Sequence, residues 1–357
     1  MHAACLNPIE GGELTYHGHV NPASSWGIGA VAAALHADAI VWDQHGCLPL
    51  RADEDAVDQL ELYRAAGVDA VSINVGFDVM SALDTLKVTG AFRRGILSRP
   101  DRYVLASTIA DVRNAKASGR LAVTFDLEGT EPLDGELSLL GAYHALGVRA
   151  VLIAYNQRNR AGGGCHDDPA IGLTAFGRDL VREMNALGIL VDATHCSPRT
   201  TFDLFEVSSE PVVFTHVVPK GVRPHDRNVT DDQMRACAGT GGVVGISGVG
   251  IFLGENDGTT AALVRAVDYA VGIVGPEHVG LGLDYVFDQD ELNAYVEQNR
   301  ATFPAGGGYA DHATFQFVSP LQLPGLTEAL LQLGYDESAV RAILGGNFMR
   351  VAEQVWG

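Results

Sequence analysis

At 357 residues, 47% hydrophobic and 19% charged, the chain has the composition of a globular protein with a large core. Its formal charge of −20 excludes polyanionic partners, because nucleic acid and an anionic membrane surface would both be repelled. Five scattered cysteines (Cys5, Cys47, Cys165, Cys196 and Cys237) with no CxxC pair indicate free thiols in a reducing, cytoplasmic compartment rather than a disulfide framework.

The N-terminal stretch "MHAACLNPIEGGELTYHGHV" lacks the basic start and apolar core of a signal peptide. No apolar run reaches the roughly 18 residues that a membrane span needs. From there the chain repeats one unit, a short apolar run rich in β-branched residues, a turn, and a longer segment with helical spacing. The runs are "ADAIVWDQHG", "VDAVSINVG", "LAVTFDLEG", "VRAVLIAYN", "GILVDATHC", "PVVFTHVV", "GGVVGISGV" and "HVGLGLDYV", eight in all. Between them lie "EDAVDQLELYRAAG", "DGELSLLGAYHALG", "TAFGRDLVREMNALG" and "GTTAALVRAVDYAVGIVG", each ending in the glycine that commonly closes a helix. Apolar strands alternating with amphipathic helices predict a parallel sheet, and eight such units predict an α/β fold of the (β/α)8 barrel type. The expected organisation is one barrel domain over 1–357, with an N-terminal extension and long βα loops that include "AGGGCHDD" and "FPAGGGYADHA". Rival folds lose on spacing. "GVGIFLG" does not fit GxGxxG, no GxxxxGK[ST] occurs, and "GISGVG" has Val249 where a nucleophile elbow needs glycine.

Polar residues recur at one place in each unit. Asp43, His45 and Cys47 close the first run and alternate, which on an extended chain places them on one face. Glu128 closes the third, Tyr155 and Asn156 the fourth, His195 the fifth, His216 the sixth and Asp284 the eighth. In a barrel these ends converge on the C-terminal mouth. Any one of them has a plain structural explanation, a helix cap for Glu128 or a hydrogen-bonded imidazole for either histidine. Together at successive strand ends they predict metal ligands, zinc by donor type, with a general base. The cluster Cys165, His166, Asp167 and Asp168 is expected to be a solvated polar loop.

The chain resembles the renal (membrane) dipeptidase family of zinc peptidases over nearly its full length. The resemblance is carried by "DQHGCLPL", "FDLEG", "GLTAFGRDLVREMNALGILVDATHCSPRT", "PVVFTHVVPKGVRPHDRN", "HVGLGLDYV" and "GGNFMRV". It implies a binuclear zinc site bridged by Glu128, with His195 and His216 on one ion and a bridging hydroxide as nucleophile. It implies that Asp284 handles the proton, that Arg227 binds the carboxylate of a dipeptide or similar small substrate, and that the chain forms dimers or larger assemblies. Two positions depart from the family pattern. The family's His-x-Asp is His45-x-Cys47 here, where thiolate is itself a zinc ligand. A family histidine is replaced by Tyr155, whose phenol can donate a hydrogen bond to an oxyanion. Three readings follow. The first is a two-zinc dipeptidase in which His45 and Cys47 hold the second ion. The second is a single-metal barrel enzyme of altered chemistry, such as lactone hydrolysis, with Cys47 as buried filler. The third is an inactive relative.

Overall fold

The computed structural model describes residues 26–309, 311–312 and 314–356. The expected N-terminal extension and Cys5 lie outside them. Ten strands follow one another: β1 (Trp42–Cys47), β2 (Ala70–Phe77), β3 (Tyr103–Leu105), β4 (Leu121–Glu128), β5 (Val148–Leu152), β6 (Leu190–Asp192), β7 (Val212–Val217), β8 (Val244–Ile246), β9 (Val279–Leu281) and β10 (Tyr285–Val286). All strand pairs are parallel, in the order β10-β1-β2-β4-β5-β6-β7-β8-β9. Since only residues 282–284 separate β9 from β10, and β10 pairs with β1, this path returns on itself as a barrel. The eight runs seen in the sequence are its eight staves, the last split into β9 and β10. The additional strand β3 pairs with the start of β4.

The strands are apolar because both faces are covered; every residue of β2 and of β4 is buried. The helices between them start on side-chain caps. Thr174 accepts from Gly177 N, Ser197 precedes Pro198 and accepts from Thr200 N, and Thr230 forms a capping box with Gln233. Gly147 and Gly188 end theirs in the left-handed region, as their place in the sequence predicts. One expected helix differs. "EDAVDQLELYRAAG" forms a 3-10 helix over Glu54–Leu60 before a short α-helix over Glu61–Ala65. Its first turn is pressed against Gly95, where a side chain would collide with the Glu54 carbonyl.

The N-terminal end of the barrel is sealed by hydrocarbon. Trp42, Ala70, Ala122, Ala150, Leu190 and Val213, near the strand starts, share a buried cluster with Phe348 and Val351 of the C-terminal helix Asn347–Trp356. Phe348 lies against Gly280, leaving no room for a side chain there, and Asn347 Nδ2 donates to the carbonyls of Pro276 and Val279. This accounts for "GGNFMRV" as the stopper of the barrel floor. No helix among the described residues is long and apolar enough to cross a membrane.

Candidate metal centre

The polar strand ends meet at the opposite end. Glu128 Oε1, at the end of β4, lies 3.4 Å from His45 Nε2, 3.3 Å from His195 Nε2 and 3.3 Å from His216 Nε2. The two latter nitrogens are 3.1 Å apart, and the rings of His45 and His216 stack at 4.0 Å. Cys47 Sγ is 3.4 Å from His45 Nε2 and 3.6 Å from Asp284 Oδ1. Among the described residues, the groups close enough to hold one ion are His45–Cys47–Asp284 and His45–Glu128–His216.

Partners behind each imidazole fix which nitrogen carries the proton. His195 Nδ1 is 2.7 Å from Asn156 Oδ1, an acceptor. His216 Nδ1 is 2.9 Å from Thr215 Oγ1, whose own proton goes to Asp192. His45 Nδ1 is 3.1 Å from Asp126 Oδ1. Each Nδ1 therefore carries hydrogen, and each Nε2 turns its lone pair toward Glu128 Oε1. Glu128 Oε2 is already occupied by the Asn74 amide at 2.9 Å. Lone pairs packed at 3.1–3.4 Å repel one another unless an electrophile sits among them.

Titration behaviour agrees. Burial holds His195 and His216 well below the ordinary imidazole range, reinforced by Arg227 and His45. Burial lowers His45 as well, but Asp126, Cys47 and Glu128 outweigh it, so this ring seeks a cation or a proton. Burial raises both the Glu128 and Asp284 carboxyls, partly offset by His45. Burial also pushes the Cys47 thiol up, with His45 opposing. The donor set of nitrogen, carboxylate oxygen and one sulfur fits a divalent transition metal, zinc foremost.

Backbone strain is concentrated here. Asn156, His195 and Asp284 are left-handed, with φ of +57°, +62° and +57°. Each costs about 1 kcal/mol or more in a residue with a Cβ. The extended chain ends abruptly at these points, at residues that face the mouth.

Several expected residues occupy less simple positions. Asp43 stays out of the ligand cluster. The register of β1 on β2 shifts between Asp43 and Gly46, breaking the assumed alternation, and Asp43 Oδ1 accepts from Leu283 N across the barrel seam and from His45 N on its own strand. Asn156 spends its amide on His195 and on the Thr302 carbonyl, 3.2 Å away. The Tyr155 ring packs 4.3 Å from the His195 ring, at the wall of a cavity of about 320 Å3 that opens over the centre. Arg227 is buried, with Nη2 donating to the His216 carbonyl and Nε unpartnered among the described residues. It lines a second, polar cavity of about 280 Å3 that shares His195 with the first. In the Cys165–Asp168 loop, Asp167 and Asp168 accept from the backbone nitrogens of Gly164 and Ala170, and His166 binds the Tyr309 hydroxyl. Asp126, Asn74 and the Thr215–Asp192 pair were not singled out from sequence. Asp126 precedes Glu128 by two residues on a buried strand, so strand alternation carried a signal for it.

A family model described as membrane dipeptidase (peptidase family M19) matches residues 32–294. The chain is 32% identical over 268 residues to an uncharacterized protein in the pqqA 5′ region of Klebsiella pneumoniae, covering 71% of this chain and 90% of that protein. It is 30% identical over 280 residues to a dipeptidase of Claviceps purpurea, covering 77% of this chain and 60% of the relative's length. Among solved structures, an amidohydrolase from Pseudomonas aeruginosa superposes with a TM-score of 0.83 at 28% identity, covering 91% of this chain and 99% of that one. A metallopeptidase from Rhodobacter sphaeroides, liganded with a phosphinate mimic of L-Ala-D-Ala, shares the fold with a TM-score of 0.72 at 22% identity, covering 89% and 100%.

Proposed function

Since the chain belongs to the membrane dipeptidase family, peptidase family M19, we propose that it is a zinc-dependent dipeptidase acting on a dipeptide or a similar small, carboxylate-bearing amide. The observation that carries this reading is the convergence of three imidazole lone pairs on one carboxylate oxygen, at 3.3–3.4 Å, in the floor of an open cavity. In this reading His45, Cys47, Glu128, His195 and His216 are the metal ligands, and Cys47 replaces a carboxylate with thiolate. Zinc held there supplies Lewis acidity toward a carbonyl and lowers the pKa of water.

The chain's own residues do the rest. Asp284 lines the cavity beside His45 and Cys47, and its raised carboxyl suits a group that takes a proton from water and returns it to the leaving amine. Burial pushes the Tyr155 hydroxyl well up, so it stays protonated and can donate to the developing oxyanion. Arg227 has a buried, unpartnered Nε that suits a substrate carboxylate. Asn156, Thr215 and Asp126 act as positioning residues by fixing the imidazole tautomers.

The test is metal content per chain, by elemental analysis of protein purified without chelator, for wild type and Cys47→Ala, alongside turnover of simple dipeptides. Two zinc ions falling to one in the variant, with dipeptide hydrolysis by the wild type, is the expected result. One ion in both proteins and no dipeptide turnover overturns the reading in favour of single-metal chemistry on another bond. Absence of metal from protein made in zinc-replete medium favours an inactive relative.

A further inference from the structure

The family match ends at residue 294, yet much of the cavity wall lies after it. Tyr295, Phe303, Tyr309, Phe315 and Phe317 all line the cavity over the metal centre. They continue a series of rings that starts at the centre itself. Tyr155, against His195, lies 5.6 Å from Phe77 and 6.1 Å from Phe303. Phe77 meets Tyr295 at 4.6 Å, Tyr295 meets Phe303 at 5.6 Å, and Phe303 meets Tyr309 at 5.1 Å.

Charge is absent from this wall. Among the described residues no lysine or arginine lines the cavity, and its carboxylates belong to the floor or the rim. The rim carboxylates Asp288 and Glu291 share the single guanidinium of Arg51, at 3.1 and 3.2 Å. The wall is also fixed in place by hydrogen bonds to loops from other parts of the barrel. His225 Nε2 is 2.7 Å from the Gly307 carbonyl and His166 Nε2 is 2.9 Å from the Tyr309 hydroxyl. Asn256 holds the Thr314 carbonyl and the Gln316 nitrogen at 3.0 and 2.8 Å. Such a slot offers an apolar group desolvation and ring contacts, and offers an acidic group no counter-charge.

We propose that the 295–317 wall makes the enzyme selective for substrates carrying a large apolar side chain, aromatic by preference, with Phe303 as the main specificity-determining ring. This rests on the dipeptidase reading above. An aromatic side chain moved from water into such a slot gains enough to raise kcat/KM by about 10- to 100-fold over a substrate lacking it.

The experiment compares kcat/KM of the zinc-loaded enzyme on glycylglycine, on the two Gly/Phe dipeptides and on the two Gly/Asp dipeptides, with Phe and Asp in both stereochemical series. At least one phenylalanine substrate is expected to exceed glycylglycine and every aspartyl substrate by tenfold or more. In Phe303→Ala that advantage shrinks by about tenfold, mainly through KM, and Phe303→Leu restores part of it. Equal or faster turnover of the glycine or aspartate substrates by the wild type overturns the inference and leaves the dipeptidase reading intact. Turnover of none of the dipeptides removes the dipeptidase reading and the inference with it. The wild-type panel decides the question even if the alanine variant fails to fold.

Discussion

The two ends of the barrel are built from the same strands and are chemically opposite. β1 enters on Trp42 and leaves on His45 and Cys47; β4 enters on Leu121 and leaves on Glu128; β7 enters on Val212 and reaches His216. At the floor, hydrocarbon packs around Phe348 and no carboxylate or imidazole enters the cluster. At the mouth, acidic and imidazole groups crowd together, and three residues adopt left-handed backbone. The floor stabilises the fold, and the mouth holds buried carboxylates and converging imidazole lone pairs at a cost in stability, the usual arrangement when a site is organised for binding.

Substitutions at the two ends should therefore separate activity from stability. The largest effect is expected from Glu128→Gln, which removes the central oxygen of the cluster. Amide hydrolysis should fall by about 10³-fold or more, while the thermal midpoint of metal-free protein holds or rises because one buried carboxylate is gone. A metal-free variant less stable than metal-free wild type would break the comparison. At the floor, Phe348→Ala should cost about 3–5 kcal/mol in denaturant unfolding, with kcat per folded molecule unchanged.

Acid should also discriminate between buried histidines. His36, away from the mouth, bonds Thr327 Oγ1 and the Ala66 carbonyl, and burial lowers it to about 4. It is neutral in the fold but protonates near 6.5 in the unfolded chain, so its contribution is complete above pH 6.5 and is lost as pH falls toward 4. Between those limits His36 alone should cost metal-free protein about 3 kcal/mol of unfolding free energy, the part of the slope that His36→Gln removes. The smallest effect is expected from Cys47→Asp, which exchanges one anionic ligand for another. Metal content should stay at the wild-type level and activity within about tenfold, measured beside Cys47→Ala.

Much of this was legible in the sequence, for identifiable reasons. Parallel strands covered on both faces read as apolar runs, so all eight staves were visible, as were the polar residues that end them. The strand β3 is an isolated apolar run in "DRYVLAST", whereas the equally short β6, β8 and β9 sit within longer apolar runs. Asp126, Asn74 and Thr215 were missed because their meaning lies in cross-strand register, which one chain read linearly does not carry. Asp43 misled for a related reason, since strict alternation fails at a register shift. Arg227 was picked out, but its placement in the second cavity depends on the 218–229 loop, whose path no periodicity encodes.

The seam joins the two ends of the strand series. His45 and Cys47 come from the first stave and Asp284 from the last, and the seam bond from Leu283 N to Asp43 spans 240 residues. A nascent chain leaving the ribosome can form several staves and still lack the carboxylate beside Cys47 until Asp284 has been made. Contacts of such separation are slow to form. On the proposed ligand set, a full complement of metal would be a signature of finished circularity, and metal uptake during refolding would time the moment at which the ring shuts.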